Sequence, residues 1–266
     1  MDLIGYLDKI DNEEPINFDA FRKKLPYGIR SSASSYFDAF PVTRVLCTVA
    51  PKNPDIMGEL RAGAAKPENR IHASVLGNSH SHGTSCAYLL VFHEAVPHTY
   101  PEVVTITEDG GTHCFKPKAQ VLLIENEENF SAFKTMLSLV SKWYGREVSL
   151  ANTDVILAAG NRINKKVTLS WLNDTYDHIL CAFDYDLGGL KMFTSLNASV
   201  VGAAFVCPPD FSDHSALFVK SPENSDRLIE AIDLAMRHKL PQLSEAFASS
   251  RRFMEQESFL YGVENN

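Results

Sequence analysis

The sequence predicts an α/β protein: a C-terminal Rossmann-like parallel-sheet domain, preceded by a smaller mixed α+β domain. Three observations carry this. From residue 119 onward, short continuous apolar runs alternate with stretches of helical periodicity, the pattern of a parallel sheet covered on both faces. Two of those runs stop abruptly in carboxylates, VLLI before Glu125 and ILCAF before Asp184 and Asp186. The first 115 residues lack this alternation and are punctuated by proline, glycine and histidine. The expected division is therefore 1–115 and 116–266, with a linker over 109–118.

In the first part, Leu3, Ile4 and Leu7 make one helical face, and Phe18, Phe21 and Leu25 another. Arg22, Lys23, Lys24 and Arg30 form the densest basic cluster of this half, either a solvated helix face or a phosphate-contacting one. VTRVLCTV (42–49) predicts a strand. Residues 50–70, with three prolines and two glycines, predict loop. AYLLVF (87–92) and VVTI (103–106) are strand candidates. Six histidines lie between 72 and 113, and His80 and His82 in NSHSHGT have a spacing imidazoles use for Zn²⁺. No second ligand pair completes such a site, so these are read as loop or core histidines.

In the second part, strand 120–124 precedes a helix over 127–143, where Phe130, Phe133, Leu137 and Val140 share a face and Gly145 is the stop. Strand 154–158 ends at Ala159-Gly160, and a helix over 161–172 leads to strand 178–183. A helix over 189–197, a strand at 200–206 and a short strand at 215–219 follow, and 223–262 reads as two or three helices. This order predicts a doubly wound parallel sheet.

Composition narrows the function classes. Thirty-three acids against 25 lysines and arginines leave a net charge of −8, which argues against a protein that coats nucleic acid but not against a local basic groove. The acidic N-terminal stretch lacks the basic-then-apolar order of a signal peptide, and no run approaches a membrane span. The five cysteines (47, 86, 114, 181, 207) are scattered without CxxC spacing. The expectation is reduced thiols in a cytoplasmic protein with no membrane contact.

Ligand sites in open α/β sheets gather outside the carboxyl ends of the strands. Glu125, Asp184 and Asp186 all sit at predicted strand ends, where three carboxylates repel unless a cation lies among them. Oxygen donors without a nearby His or Cys favour Mg²⁺ or Mn²⁺. A carboxylate-held cation neutralises a phosphate and activates water, which suits phosphodiester cleavage. Gly160 lets backbone pass close to such a centre. Gly188 and Gly189 open the start of the next helix, whose N–H groups favour an anion. Lys191 is a candidate phosphate contact or an exposed helix lysine. Glu128, with Glu127, is near enough to assist or is a first-turn acid favoured by the helix dipole. Arg162, Lys165, Lys166, Arg251 and Arg252 are the candidate DNA contacts. So few cations predict weak DNA affinity alone, with steep salt dependence.

The order strand-Glu125, strand-Gly160, strand-Asp184-x-Asp186-helix resembles a Toprim domain over roughly 119–208. With ENEENF, AAG and DYDLGGLKMFTSL, it is most similar to the topoisomerase VI A-subunit type, and closest to the C-terminal region of JetD, the nuclease subunit of Wadjet-type SMC-like plasmid-defence systems. Leu187 stands where the topoisomerase pattern has proline. RRFMEQESFL, with Glu255, Gln256 and Glu257, resembles a helix near the end of JetD-like chains. The resemblance implies a metal-dependent DNA endonuclease acting in plasmid or phage defence, with an SMC-like ATPase as partner and a homodimeric state. It also implies a winged-helix or CAP-like N-terminal domain. Two alternatives remain: a tyrosine transesterase of the topoisomerase VI A-subunit kind, and a non-cutting subunit that docks on the ATPase. The transesterase pattern places an arginine shortly before a Tyr-Tyr pair; the nearest match, Arg30…Tyr36-Phe37, has one tyrosine and different spacing.

Overall fold

The computed structural model of the chain describes residues 1–64, 70–75, 84–97 and 99–262. The chain divides into two compact units, Met1–Gly83 and Thr84–Asn266.

The first unit begins with helices α1 (Leu3–Asp11), α2 (Phe18–Arg22), α3 (Tyr27–Arg30) and α4 (Ala33–Tyr36). Asp2 caps α1 by accepting from the Gly5 N–H, and Asn17 caps α2 through Ala20. An antiparallel hairpin follows, β1 (Phe37–Pro41) and β2 (Cys47–Pro51), in which Phe37 faces Pro51. Ile16 pairs with the other side of β2 through an isolated antiparallel bridge to Cys47. Helices α5 (Asp55–Ala64) and α6 (Arg70–Val75) close the unit. Leu7, Ile10, Phe21, Leu25, Phe37, Ile56 and Leu60 form its core. The expected apolar faces of the first helices are thus the buried ones. Of the single strand expected over 42–49, residues 47–49 belong to β2, while 42–46 form the turn between β1 and β2, with Val42 and Val45 exposed. The loop expected over 50–70 contains α5, because Asn53 accepts from the Asp55 N–H and Ile56, Met57 and Leu60 supply a buried stripe.

The second unit is built on a seven-stranded sheet. Its strands are β3 (Ala87–Phe92), β4 (Glu102–Thr107), β5 (Gly110–Thr112), β6 (Gln120–Ile124), β7 (Thr153–Leu157), β8 (His178–Ala182) and β9 (Ala203–Phe205). The order across the sheet is β5-β4-β3-β7-β6-β8-β9. The block β7-β6-β8-β9 is parallel, as expected. The sheet as a whole is mixed, because β3 joins β7 antiparallel and carries β4 and β5 with it. Residues 87–112 therefore belong to the sheet, and the compact units part at Gly83/Thr84 where the sequence suggested 115/116.

All five residues of β6 are buried, as its central place requires. Val121 and Leu123 face one core, with Ile156, Ile179 and Cys181. Leu122 and Ile124 face the other, with Val155, Leu157 and Leu180. Helices α7 (Glu127–Ser131) and α8 (Phe133–Tyr144) cover this second face through Phe130, Phe133, Met136, Leu137 and Val140. The break at Ala132 replaces the one helix expected there, and Gly145 ends α8 at φ 61°. The first face is covered by α9 (Lys166–Thr175), α10 (Leu187–Asn197), α11 (Ser225–Arg237) and α12 (Pro241–Ser250). The strand expected at 215–219 is a 3₁₀ turn, Ser212–Leu217, since only Phe218 of that run is buried. No helix among the described residues is long and apolar enough to cross a membrane.

Candidate functional site

Strand register brings the sequence-predicted acids to one sheet edge. Ile124 is level with Leu157 of β7 and Ala182 of β8. The ladder runs one rung further, with Ala158 N donating to Ile124 O at 2.7 Å and Glu125 N to Ala182 O at 3.1 Å. Residues just past these rungs leave the sheet together: Glu125-Asn126, Ala159-Gly160, and Phe183 to Asp186.

Two of the acids are joined directly. The Asp184 N–H donates to Glu125 Oε2 at 3.0 Å. Asp184 Oδ1 accepts from Asn126 Nδ2 and from the Gln256 N–H, both at 2.9 Å. Each acid spends one oxygen in this way. Glu125 Oε1 and Asp184 Oδ2 accept no hydrogen bond among the described residues. Both residues are half-buried.

Asp186 has a different role. It is the N-cap of α10, with Oδ1 accepting from the Gly189 N–H at 2.9 Å. Its Oδ2 pairs with Lys220 Nζ at 3.0 Å, and the same ammonium lies 2.7 Å from Glu255 Oε1. Between the two acids, Tyr185 points inward. It is fully buried among Phe205, Phe211 and Phe259, and its hydroxyl donates to Val206 O at 3.2 Å.

The C-terminal segment lies along this stretch. Tyr185 and Met254 exchange backbone hydrogen bonds at 3.0 Å each, and Phe253 and Lys220 do the same at 2.8 and 3.1 Å. These rungs bring Gln256 to Asp184 and Glu255 to Lys220. Partial burial raises the Glu257 carboxyl, and the charges of Asp184, Glu255 and Glu128 add to it.

Burial pushes the Glu125 carboxyl up to about 7; the Asp184 N–H opposes this, and the charges of Asp184 and Asp186 add to it. Burial likewise raises Asp184, against the Gln256 N–H and Asn126 amide. For Lys220, partial burial disfavours the charge, but hydrogen bonds to Glu255 and Asp186 outweigh it and hold the amine above its ordinary range. The neighbourhood is thus short of positive charge. Like charges keep carboxylates apart unless donors intervene; here the donors are backbone N–H groups, one asparagine amide and one ammonium. Among the described residues, no three His, Cys, Asp or Glu side chains are gathered closely enough to form a ready metal cage. The donor chemistry still fits Mg²⁺ or Mn²⁺: oxygen only, half-buried, with free lone pairs on Glu125 and Asp184.

The glycines divide by role. Gly189 is required by packing, since a Cβ there would lie 2.2 Å from the Asp184 carbonyl oxygen. Gly160 is required by its backbone, at φ +59°, one strand over from Glu125. Gly188 is exposed in the first turn of α10.

The candidate cations do not gather at the acids. Lys191 pairs with Glu230 at 2.8 Å. Lys165 Nζ donates to Cys86 O at 3.3 Å, and Lys166 lines a hollow of about 440 Å³ with Thr107, Asp109 and Trp171. Arg162 and Arg251 are exposed, and Arg251 closes α12 in the left-handed conformation. Arg252 donates to Val219 O and Ser221 Oγ at 2.8 and 3.0 Å, steadying the loop that carries Lys220. Glu128 stays exposed in the first turn of α7.

Sequence reasoning missed Lys220 and Asn126. Asn126 carries a signal, its adjacency to Glu125. Lys220 carries none, because only the backbone pairing with Phe253 brings it in. Of the histidines, His93 is a core residue, stacked on Phe115 and 3.6 Å from Asp154. His113 is half-buried, with Nδ1 2.6 Å from Phe115 O. His80, His82 and His98 lie outside the described residues.

No protein-family model, curated protein or solved structure matches this chain.

Proposed function

We propose that the chain is a Mg²⁺- or Mn²⁺-dependent DNA endonuclease with a Toprim-type site in its second unit, closest in kind to JetD. In this reading it works as a homodimer beside an SMC-like ATPase in plasmid or phage defence. The observation that carries the reading is the Glu125–Asp184 link. It joins acids from two strand ends 59 residues apart and leaves one oxygen of each free for a cation. Gly160 at the neighbouring strand end and Asp186 at the helix start complete the order expected of that site.

The reaction is hydrolysis. Water adds to phosphorus, the bond from phosphorus to one sugar oxygen breaks, and that oxygen leaves as a hydroxyl after taking up a proton. A divalent cation, when bound, supplies charge neutralisation at the phosphate and a more acidic water. The chain's own residues have separate tasks. Glu125 and Asp184 offer the free oxygens. Asn126 and the Gln256 N–H orient Asp184. Asp186 fixes the start of α10.

The first unit supports a nucleic-acid partner on its own. Its order is a helix, the bridge at Ile16, three short helices and a hairpin, an order that supports the winged-helix reading. Lys23, Lys24 and Arg44 are exposed on it. One observation there favours a second reading, the tyrosine transesterase. Tyr36 is 37% exposed at the end of α4. Against it, the guanidinium of Arg30 is occupied by Leu25 O at 3.2 and 3.3 Å.

Incubation of supercoiled plasmid with the protein, alone and with the ATPase, in Mg²⁺ or Mn²⁺ against EDTA, separates the readings. Metal-dependent cutting that leaves free phosphate and hydroxyl ends and is lost in Asp184→Asn is the expected result. Protein covalently joined to DNA ends, abolished by Tyr36→Phe, supports the transesterase. Absence of cutting in both settings supports the non-cutting subunit.

A further inference from the structure

We propose that Lys220 is a built-in second cation of this site, so that the acid group takes up one divalent ion per chain. This rests on the metal-dependent reading above.

The oxygens around the site fall into two sets. Among the described residues, Glu125 Oε1 and Asp184 Oδ2 accept no hydrogen bond, while their partner oxygens are held by N–H donors. Asp186 has no free oxygen: Gly189 occupies Oδ1, and Lys220 occupies Oδ2 at 3.0 Å. The same ammonium neutralises Glu255 at 2.7 Å. In two-metal phosphoryl enzymes, ions about 3.5–4 Å apart divide the charge of the reacting phosphate between them. Here one of the two positions is filled by an amine on the chain itself. A lysine ammonium is a compact charge with three donors, enough to bridge two carboxylates and keep one N–H for a phosphate oxygen.

The amine is held in place. The Lys220 backbone is paired on both sides with Phe253, and Arg252 holds the preceding residue through Val219 O. The Lys220 side chain is exposed and outside the core. The backbone pairing does not depend on the side chain, so Lys220→Ala retains the fold.

The test is a Mn²⁺ titration of the full chain at moderate salt, read by the loss of the free-ion signal in electron paramagnetic resonance. Wild type binds one Mn²⁺ per chain, and Asp184→Asn binds none. Lys220→Ala opens the Asp186/Glu255 pair and binds two. Lys220→Arg keeps the stoichiometry at one, and Lys220→Ala combined with Glu255→Gln returns to one. Two ions in wild type, or one in Lys220→Ala, overturns the assignment of Lys220 while leaving the metal site intact. No ion in wild type overturns the metal-dependent reading, and this inference with it.

Discussion

Replacing Glu125 by glutamine is expected to stabilise the second unit at alkaline pH. Burial raises this carboxyl from 4.5 to about 7. Between those pH values the folded state keeps a proton that the unfolded chain has released. Stability is therefore full below pH 4.5 and declines as pH rises through 7. At roughly 1.4 kcal/mol per pH unit, ionised Glu125 costs about 3 kcal/mol at pH 8 and less than about 1 kcal/mol at pH 5. Glutamine keeps the side-chain oxygen that accepts from the Asp184 N–H and removes the charge. For a unit of this size, about 3 kcal/mol corresponds to a rise in Tm of roughly 6–12 °C. Thermal unfolding of wild type and Glu125→Gln at pH 5 and pH 8, followed by circular dichroism, measures the difference. At pH 8, saturating Mn²⁺ should then stabilise wild type and leave Glu125→Gln unmoved. A variant no more stable than wild type at pH 8, or a difference that does not grow with pH, refutes the view that unneutralised charge is confined at this strand end.

Other perturbations follow from the same contacts. Gly189→Ala drives a Cβ into the Asp184 carbonyl and should cost about 1–3 kcal/mol in denaturant unfolding, with Mn²⁺ affinity falling too; unchanged stability would mean that the helix start moves freely. Tyr185→Phe removes the donor to Val206 O and should cost about 1–2 kcal/mol while leaving metal-dependent cutting intact, and its loss of cutting would point to tyrosine chemistry. Gly160→Ala, at φ +59°, should destabilise by about 1–2 kcal/mol, whereas Gly58→Ala, in open space inside α5, should stabilise by up to about 1 kcal/mol. Equal effects at the two glycines would contradict that contrast.

What the sequence revealed follows from how locally each feature is encoded. The parallel block was legible because β6, β7 and β8 are apolar runs buried on both faces, and such runs need no distant partner to be recognised. Glu125, Gly160, Asp184 and Asp186 were legible because each follows such a run directly. The antiparallel addition of β3 to β7 was not, since AYLLVF reads equally well in a separate sheet. Nor was the hairpin at 37–51, where the apolar tip Val42–Leu46 imitates a strand that the fold leaves to solvent. Lys220 was invisible for a related reason. It is placed by antiparallel pairing with Phe253, 33 residues away, and no periodicity records that pairing. The C-terminal EQE triplet was visible only as a resemblance; the rungs from Met254 to Tyr185 and from Gln256 to Asp184 give it a physical place beside the acids.

A shared cation at the oxygens of Glu125 and Asp184 left without a donor is the feature from which the proposed chemistry follows. Anomalous scattering from crystals grown with saturating Mn²⁺ tests it directly. The expected result is a peak about 2.0–2.3 Å from Glu125 Oε1 and Asp184 Oδ2. A map with no peak at that strand edge, under conditions where Mn²⁺ is seen elsewhere on the molecule, contradicts it.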